Sequence, residues 1–382
     1  MRVTQAMLSN STLSHISNGY SKLATTQDQL ATGKKITRAS QDPVVAMKGM
    51  RYRTQVLEVD QFKRNLGEVY NWLETADEAL DQGTQVLQRI RELATQASND
   101  TYNETERANI SKEVKQLREH LQSLANTKNS NKYIFNGTNT TTAPVIDMEK
   151  MNYSITDLTN GSIANPDSVD LVYNGKTFRH SETTAEGVQI FEDISNADNQ
   201  LTVSADGQQA VFSKPNMEDP TAPRVEETLR TNDVVVANRD SISINTQNVE
   251  IELMKGVTVP VNVNPANVFS NALFGDIIRL EKALEDGNVK GPELTGYIDN
   301  MFGHINQFVS ERAELGARVN RIEMMENRLM GQEVTAKRIM SDNEDADMEQ
   351  VIIDLTTQES VHRAALASGA RIIQPTLMDF LR

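Results

Sequence analysis

Five histidines and 53 acidic residues are the side chains in this sequence best suited to acid–base or metal chemistry. The histidines stand at His15, His120, His180, His304 and His362, far apart in the chain, and none belongs to a His-Glu-x-x-His pair on one helix face. Isolated in this way they read as polar surface or seam residues rather than ligands. The run "SDNEDADMEQ" from Ser341 to Gln350 has the acid density of a calcium loop. It lacks the glycine and the closing glutamate at loop spacing, so a solvated helix start fits it better. Cysteine is absent, which removes disulfides, thiolate nucleophiles and cysteine zinc sites together. Gly49, Gly67 and Gly83 lie inside helical pattern and form no phosphate loop, and no Gly-x-Ser-x-Gly occurs. Carboxylates are so abundant that no catalytic pair stands out. The sequence points to no catalytic residue, no metal, no cofactor and no enzyme.

Composition narrows the classes further. The chain has 382 residues, with 38% hydrophobic and only 5% aromatic content, which suits thin helical assemblies better than a compact enzyme. A net charge of -15 repels nucleic acid as a whole, and the basic runs at 33–35 and 47–53 are short. No apolar run is long enough to span a membrane, and the N-terminus lacks the pattern of a cleaved leader. The expectation is a protein that stays in the cytoplasm or leaves by a route needing no cleaved signal. Absence of cysteine suits a chain that crosses redox compartments.

The elements are helices, then strands, then helices. Leu13, Ile16, Tyr20, Leu23 and Leu30 keep three- and four-residue steps inside "STLSHISNGYSKLATTQDQL", a segment rich in poor helix formers. Such a seam predicts a helix that waits for a partner. Asp42-Pro43 predicts a helix start. From it runs the clearest seam, with Val59, Phe62, Leu66, Val69, Leu73, Ala76, Leu80, Gly83, Leu87, Ile90, Ala94 and Ala97 stepping without a slip. Asn103 with Glu106 forms a capping-box pattern for a second helix folding back on the first. Asn174-Gly175 and Asp206-Gly207 predict tight hairpins, and "DVVVANRDSISINTQNVEIELMKGVTVPVNV" predicts further strands. Helical pattern returns near 267, with one helix ending at Gly287 and a long one starting near Pro292. Ser341 and Glu344 have capping-box spacing for a last helix. Its seam is Met348, Ile352, Leu355, Glu359, His362, Leu366, Gly369, Ile373, Leu377 and Phe380. The expected fold is mainly α with an inserted β-rich domain: an elongated α-helical coiled-coil bundle formed by N- and C-terminal segments.

Ordered motifs carry a family resemblance. "QLATGKKITRASQDPVVA" (29–46), "LQRIRELATQASNDTYNETERANISKEVKQL" (87–117), "RVNRIEMMENRL" and "SDNEDADMEQVIIDLTTQESVHRAALASGARIIQPTLMDFL" resemble the flagellin superfamily. "MRVTQAM", "NKYIFNGTNTTTAP", "GVTVPVNVNPANVFSNALFGDIIRLEKALEDGN" and "LMDFLR" resemble the hook–filament junction branch of it more than filament subunits. The resemblance covers roughly 1–140 and 250–382 and leaves the middle unmatched.

The resemblance implies a structural adaptor of the bacterial flagellum. Its partners would be a hook-associated protein on the hook side, flagellin on the filament side, further copies of itself in a ring, and a cytoplasmic export chaperone holding the C-terminal helix. It would leave through the flagellar export apparatus and reside extracellularly. The corresponding domains are 1–42 and 341–382 as assembly segments disordered until assembled, 43–140 and 266–340 as helical core, and 141–265 as a β-rich outer domain. Two seams would form the assembly site: Leu13, Ile16, Tyr20, Leu23 and Leu30 at one end, and Met348, Ile352, Leu355, Leu366, Ile373, Leu377 and Phe380 at the other. By the same resemblance Gln88, Arg89 and Leu93 would form an innate-immune receptor surface. Flagellin itself is the alternative reading, and a secreted enzyme with chemistry in the middle domain is a third.

Overall fold

The chain order follows the punctuation of the sequence. The computed structural model describes residues 5–99, 103–145, 151, 153–160, 162–163, 165–215, 223–243, 245–286, 289 and 291–373. Helix α1 spans Gln5–Thr32 and ends where Gly33 turns to φ +67 and donates its N–H to Gln29 O at 2.8 Å. Asp42 caps the next helix, its Oδ1 accepting from Val44 N at 2.9 Å and Val45 N at 3.1 Å, with Pro43 at the first helical position. That helix, α2, runs Pro43–Ala97, and α3 covers Glu104–Ala125 behind the Asn103–Glu106 capping box. A short hairpin pairs β1 (Lys128–Asn129) with β2 (Lys132–Tyr133), and α4 spans Ile155–Thr159.

Seven strands follow: β3 (Val169–Tyr173), β4 (Lys176–Thr183), β5 (Gln189–Asp193), β6 (Gln200–Val203), β7 (Ala210–Lys214), β8 (Val225–Leu229) and β9 (Val235–Asn238). They form one antiparallel sheet in the order β8-β7-β6-β5-β4-β3-β9. A separate hairpin pairs β10 (Glu250–Met254) with β11 (Val257–Pro260). Helices α5 (Pro265–Val268), α6 (Asn271–Glu285), α7 (Thr295–Glu344) and α8 (Met348–Ile373) complete the chain. The fold is mainly α with long helices at both ends and a β-rich insertion.

Two sequence expectations change here, at Asp206-Gly207 and at Ser341 with Glu344. The Asn174-Gly175 turn is a two-residue hairpin, with φ of 51 and 74 and Tyr173 paired to Lys176. Asp206-Gly207 is not: Val203 pairs with Ala210, so a six-residue loop intervenes, and only Gly207 has positive φ. Ser341 and Glu344 form no cap, because α7 continues through both. Asp347 is the cap of α8 instead, its Oδ1 accepting from Glu349 N at 3.1 Å and Gln350 N at 3.2 Å. Helix α6 ends at Glu285, and Gly287, expected as its stop, lies outside the described residues.

The chain divides into two compact units, one made of 1–64 with 326–382 and the other of 65–325. The second unit holds a closed core. Helix α2 contributes Leu66, Val69, Trp72, Leu73, Leu80, Leu87, Ile90 and Leu93, all at most 5% exposed. Phe269 stands edge-on to Phe135 (centroids 5.0 Å apart) and to Phe308 (5.4 Å). Gly83 makes room for that cluster, since a Cβ there would lie 2.6 Å from Phe308 Cε1. One sheet face packs Leu171, Phe178, Phe191, Leu201 and Val236 against Ile155 and Leu158 of α4. The opposite face meets α6, where Gly275 lets Val172 approach.

The first unit is thinner. Its portions of α2 and α7 run antiparallel, tied by Lys63–Glu333 at 2.8 Å and Arg53–Glu344 at 2.7 Å. Helices α1 and α8 form a second antiparallel pair: Gly19 faces His362, and Gly369 faces Ile16 and Thr12.

Candidate functional site

Buried titratable groups in the 65–325 unit brace packed elements. Asp276 is fully buried on α6 and accepts from Arg279 Nη1 at 3.0 Å and from the Gly175 N–H of the hairpin turn at 3.3 Å, with His304 Nε2 at 2.9 Å. Arg279 lies over the rings of Tyr173 and Tyr297 at 4.8 and 5.1 Å. Burial pushes the Tyr173 hydroxyl up to about 12, so it stays protonated. Arg118 on α3 grips Glu281 of α6 at 2.6 Å, and burial raises the Glu281 carboxyl in spite of that partner. Asp170 is likewise raised by burial, against the pull of Arg239 and Arg179. Each cluster joins neighbouring elements through direct protein partners. No group of three or more His, Asp or Glu that could hold a metal occurs among the described residues. His304 is therefore an interior brace, where the sequence suggested a surface or seam residue.

The terminal helices present a different kind of site. Along α1 the residues turned inward are Thr12, Ile16, Gly19, Leu23, Thr26 and Leu30, in strict four- and three-residue steps. On α8 the matching row is Val351, Leu355, Gln358, His362, Ala365 and Gly369. Small residues in both rows let the backbones come close. The expected seams are thus split. Ile16, Leu23, Leu30 and Leu355 are half-buried in the pair, while Leu13, Tyr20, Met348, Ile352 and Leu366 stand on outer faces at 40–64% exposure. Tyr20 flanks the seam with its ring 6.0 Å from His362. Leu377 and Phe380 lie outside the described residues, as does the side chain of Ile373. The same unit exposes Met47, Met50 and Leu57 on α2 and Met330 and Val334 on α7. One stripe per helix is buried within the chain and a second apolar stripe is left open.

A polar latch closes this unit beside the helix pairs. Ala346 N donates to Gly33 O at 2.8 Å and Lys35 N to Glu344 O at 2.7 Å. Glu344 is buried against Arg53, and Gly49 provides its space: a Cβ there would fall 2.6 Å from Glu344 Oε1. Lys34 meets Asp345 at 2.6 Å and, with Ser341, holds its carboxyl below the usual range.

These paired terminal helices can now be set beside known proteins. Residues 3–140 match the bacterial flagellin N-terminal helical region. Within the flagellin-like relatives, this chain is 30% identical over 131 residues to a flagellin of Clostridium tyrobutyricum, covering 34% of this chain and 35% of that protein. It is 29% identical over 145 residues to flagellar hook-associated protein 3 of Escherichia coli K12, covering 38% of this chain and 46% of that protein. The match thus spans less than half the length of these curated relatives. A solved structure from Vibrio parahaemolyticus, described as a candidate flagellar hook-associated protein, shares the fold. It covers 80% of this chain and 100% of its own, at 13% identity and a TM-score of 0.50.

The residues that the resemblance offered as an immune-receptor surface lie within this flagellin-like stretch. Gln88 and Arg89 are exposed on α2, with Arg89 Nη2 2.9 Å from Glu113 and Nη1 3.3 Å from Glu92. Leu93 is 2% exposed and belongs to the core, so it is removed from that surface.

Proposed function

We propose that this chain is a structural junction subunit of the bacterial flagellum, standing between hook-associated proteins and the flagellin filament. The observation that carries the reading is the open apolar stripe on each terminal helix. Of 19 large apolar side chains exposed among the described residues, 14 belong to the unit built from the two chain ends. A monomer has no use for so much apolar surface, whereas an assembly subunit covers it with neighbours. The named relatives, flagellins and hook-associated protein 3, are consistent with that role. On this reading 1–42 and 341–382 are assembly segments that order on assembly. Residues 43–140 and 266–340 form the core, and 141–265 form an outer domain. The subunit is exported through the flagellar apparatus under a chaperone that holds its C-terminal helix, self-associates in a ring, and performs no catalysis.

The test is complementation. Purified protein is added to bacteria that make hooks and flagellin but lack this subunit, and filaments are counted by electron microscopy. Restored filaments support the junction role. Failure to restore them, with long filaments formed by the protein alone, would make the chain a flagellin, the second reading that its flagellin relatives favour.

A further inference from the structure

The two units differ sharply in charge. Residues 1–64 with 326–382 hold 16 Lys and Arg against 14 Asp and Glu, a net +2. Residues 65–325 hold 22 against 39, a net -17, and the two account for the -15 of the chain. The positive excess of the first unit sits in 1–64, where ten basic residues face four acidic ones. On α2 that excess coincides with an open helix face. Lys48 and Arg51, one turn apart, are exposed and make no ion pair among the described residues; Arg51 shares its face with Met47, one turn before it, and Met50 and Leu57 are exposed on the adjoining side of the helix. The result is a stripe that is both apolar and cationic.

A surface of the opposite character lies within 65–325. A groove of about 630 Å³ between α2 and α7 is floored by Leu315 and Val319 and left open at Gly316. Glu74, Asp77, Glu78 and Asp81 line its α2 wall on successive turns. The groove already shows how it holds a guanidinium: Arg312 takes Asp77 through Nε at 3.0 Å and Nη2 at 3.1 Å, and Asp81 through Nη1 at 2.5 Å. That leaves Glu74 and Glu78 without a cation among the described residues. Apolar floor and acidic wall complement the methionines and cations of the stripe.

We infer that the Lys48–Arg51 stripe of one copy docks into the Glu74–Glu78 groove of a second copy, head to tail. The contact is heterologous, so repeating it propagates a ring or an open array rather than closing a dimer. The inference rests on the reading of this chain as an assembly subunit and names the face through which like copies meet. Complementary charge steers the encounter, and the apolar part holds the contact once water leaves it.

The test uses the full chain and two charge-reversed variants, Lys48→Glu with Arg51→Glu, and Glu74→Lys with Glu78→Lys. All four positions face solvent or the groove rim, and circular dichroism confirms unchanged helix content. Sedimentation velocity at low salt should show self-association of the parent chain that weakens as salt is raised. Each variant alone should associate roughly tenfold more weakly or worse, and mixing the two should restore association, because each then offers the other an opposite charge. Absence of cysteine gives a positional check: Lys48→Cys on one copy and Glu78→Cys on another should cross-link on oxidation. A parent chain that does not associate, association insensitive to both reversals, or no rescue on mixing overturns the inference. Filament counts in the complementation assay report the junction role separately, so either can fail without the other.

Discussion

The two compact units of this chain spend their apolar residues in opposite ways. Among the described residues, 65–325 buries nearly every core side chain, while the unit of chain ends buries only three large apolar side chains, Val59, Leu329 and Val351. The first is a finished core, and the second is half of one. An antiparallel helix pair covers one stripe per helix. Each large side chain so buried contributes about 1.5–3 kcal/mol, against about 1–2 kcal/mol of backbone entropy for every residue ordered. Helices α1 and α8 together order 54 residues on half-buried seams, a balance that needs neighbours.

The widest separation between the units should appear in amide exchange. In the monomer, α1 and α8 should exchange with little protection, whereas residues 69–94 of α2 should approach the protection of global unfolding. The gap should be on the order of a thousandfold or more. Assembly should slow α1 and α8 selectively. Equal protection of both units in the monomer would remove the contrast and the proposal that the ends order on assembly.

Truncation comes next in size. Leu80→Ala or Leu87→Ala removes a side chain with no exposure and should cost about 2–5 kcal/mol. Leu13→Ala or Leu366→Ala, at 52% and 48% exposure, should change monomer stability by less than about 0.5 kcal/mol while weakening assembly. Urea unfolding followed by the single tryptophan, buried Trp72, reads the first pair directly.

How much of this contrast was legible in the sequence depended on where the signal was local. The α2 seam, the Asp42-Pro43 start, the Asn103 capping box and the Asn174-Gly175 turn are each written in a few adjacent residues. The inward faces of α1 and α8 were not. Leu13 and Tyr20 keep the same three- and four-residue steps as the true seam, and that seam includes Thr12, Gly19 and Thr26, which carry no hydrophobic signal. Periodicity identifies a stripe without saying which partner it meets. The cap of α8 lies at Asp347 rather than Ser341 because α7 runs on through Glu344, a continuation that no local motif marks. The Asp276–His304 brace joins residues 28 apart, so no local motif announces it.

Glycines sharpen the comparison at a smaller scale. A Cβ on Gly275 would lie 2.7 Å from Val172 Cβ, on a strand that cannot easily yield. Gly275→Ala should therefore destabilise by about 1–2 kcal/mol, overpacking outweighing the gain in helix propensity. On Gly369 the nearest atom is the mobile end of Ile16, Cδ1 at 3.1 Å, and Gly369→Ala should be neutral or slightly stabilising. Thermal melts of the two variants give the comparison, and equal losses would mean that the α1–α8 pair is as tightly built as the core.

Acid gives the smallest effect and the clearest difference in sign. In the chain-end unit, Lys34 and Ser341 hold the Asp345 carboxyl below its usual range, and Lys337 with Lys63 holds Glu333 down to about 2. A depressed carboxyl contributes stability above its ordinary range and loses it as pH falls, here toward about 2 for Glu333. In the 65–325 unit, burial raises Asp170 and Glu281. Their contribution has the opposite sign: it is present at low pH and is lost as pH rises through the raised values. Mild acid should therefore relieve the buried carboxylates of the core first, and only stronger acid, toward about pH 2 for Glu333 and below the usual carboxylate range for Asp345, should loosen the α2–α7 tie and the latch. Exchange in residues 34–35 and 333–346 should rise at a pH where Trp72 fluorescence still reports a native core. Both surface ties are solvent-screened, so added salt should reduce the difference. Glu333→Gln should abolish its share of the acid response and leave the share of the Asp345 latch in place.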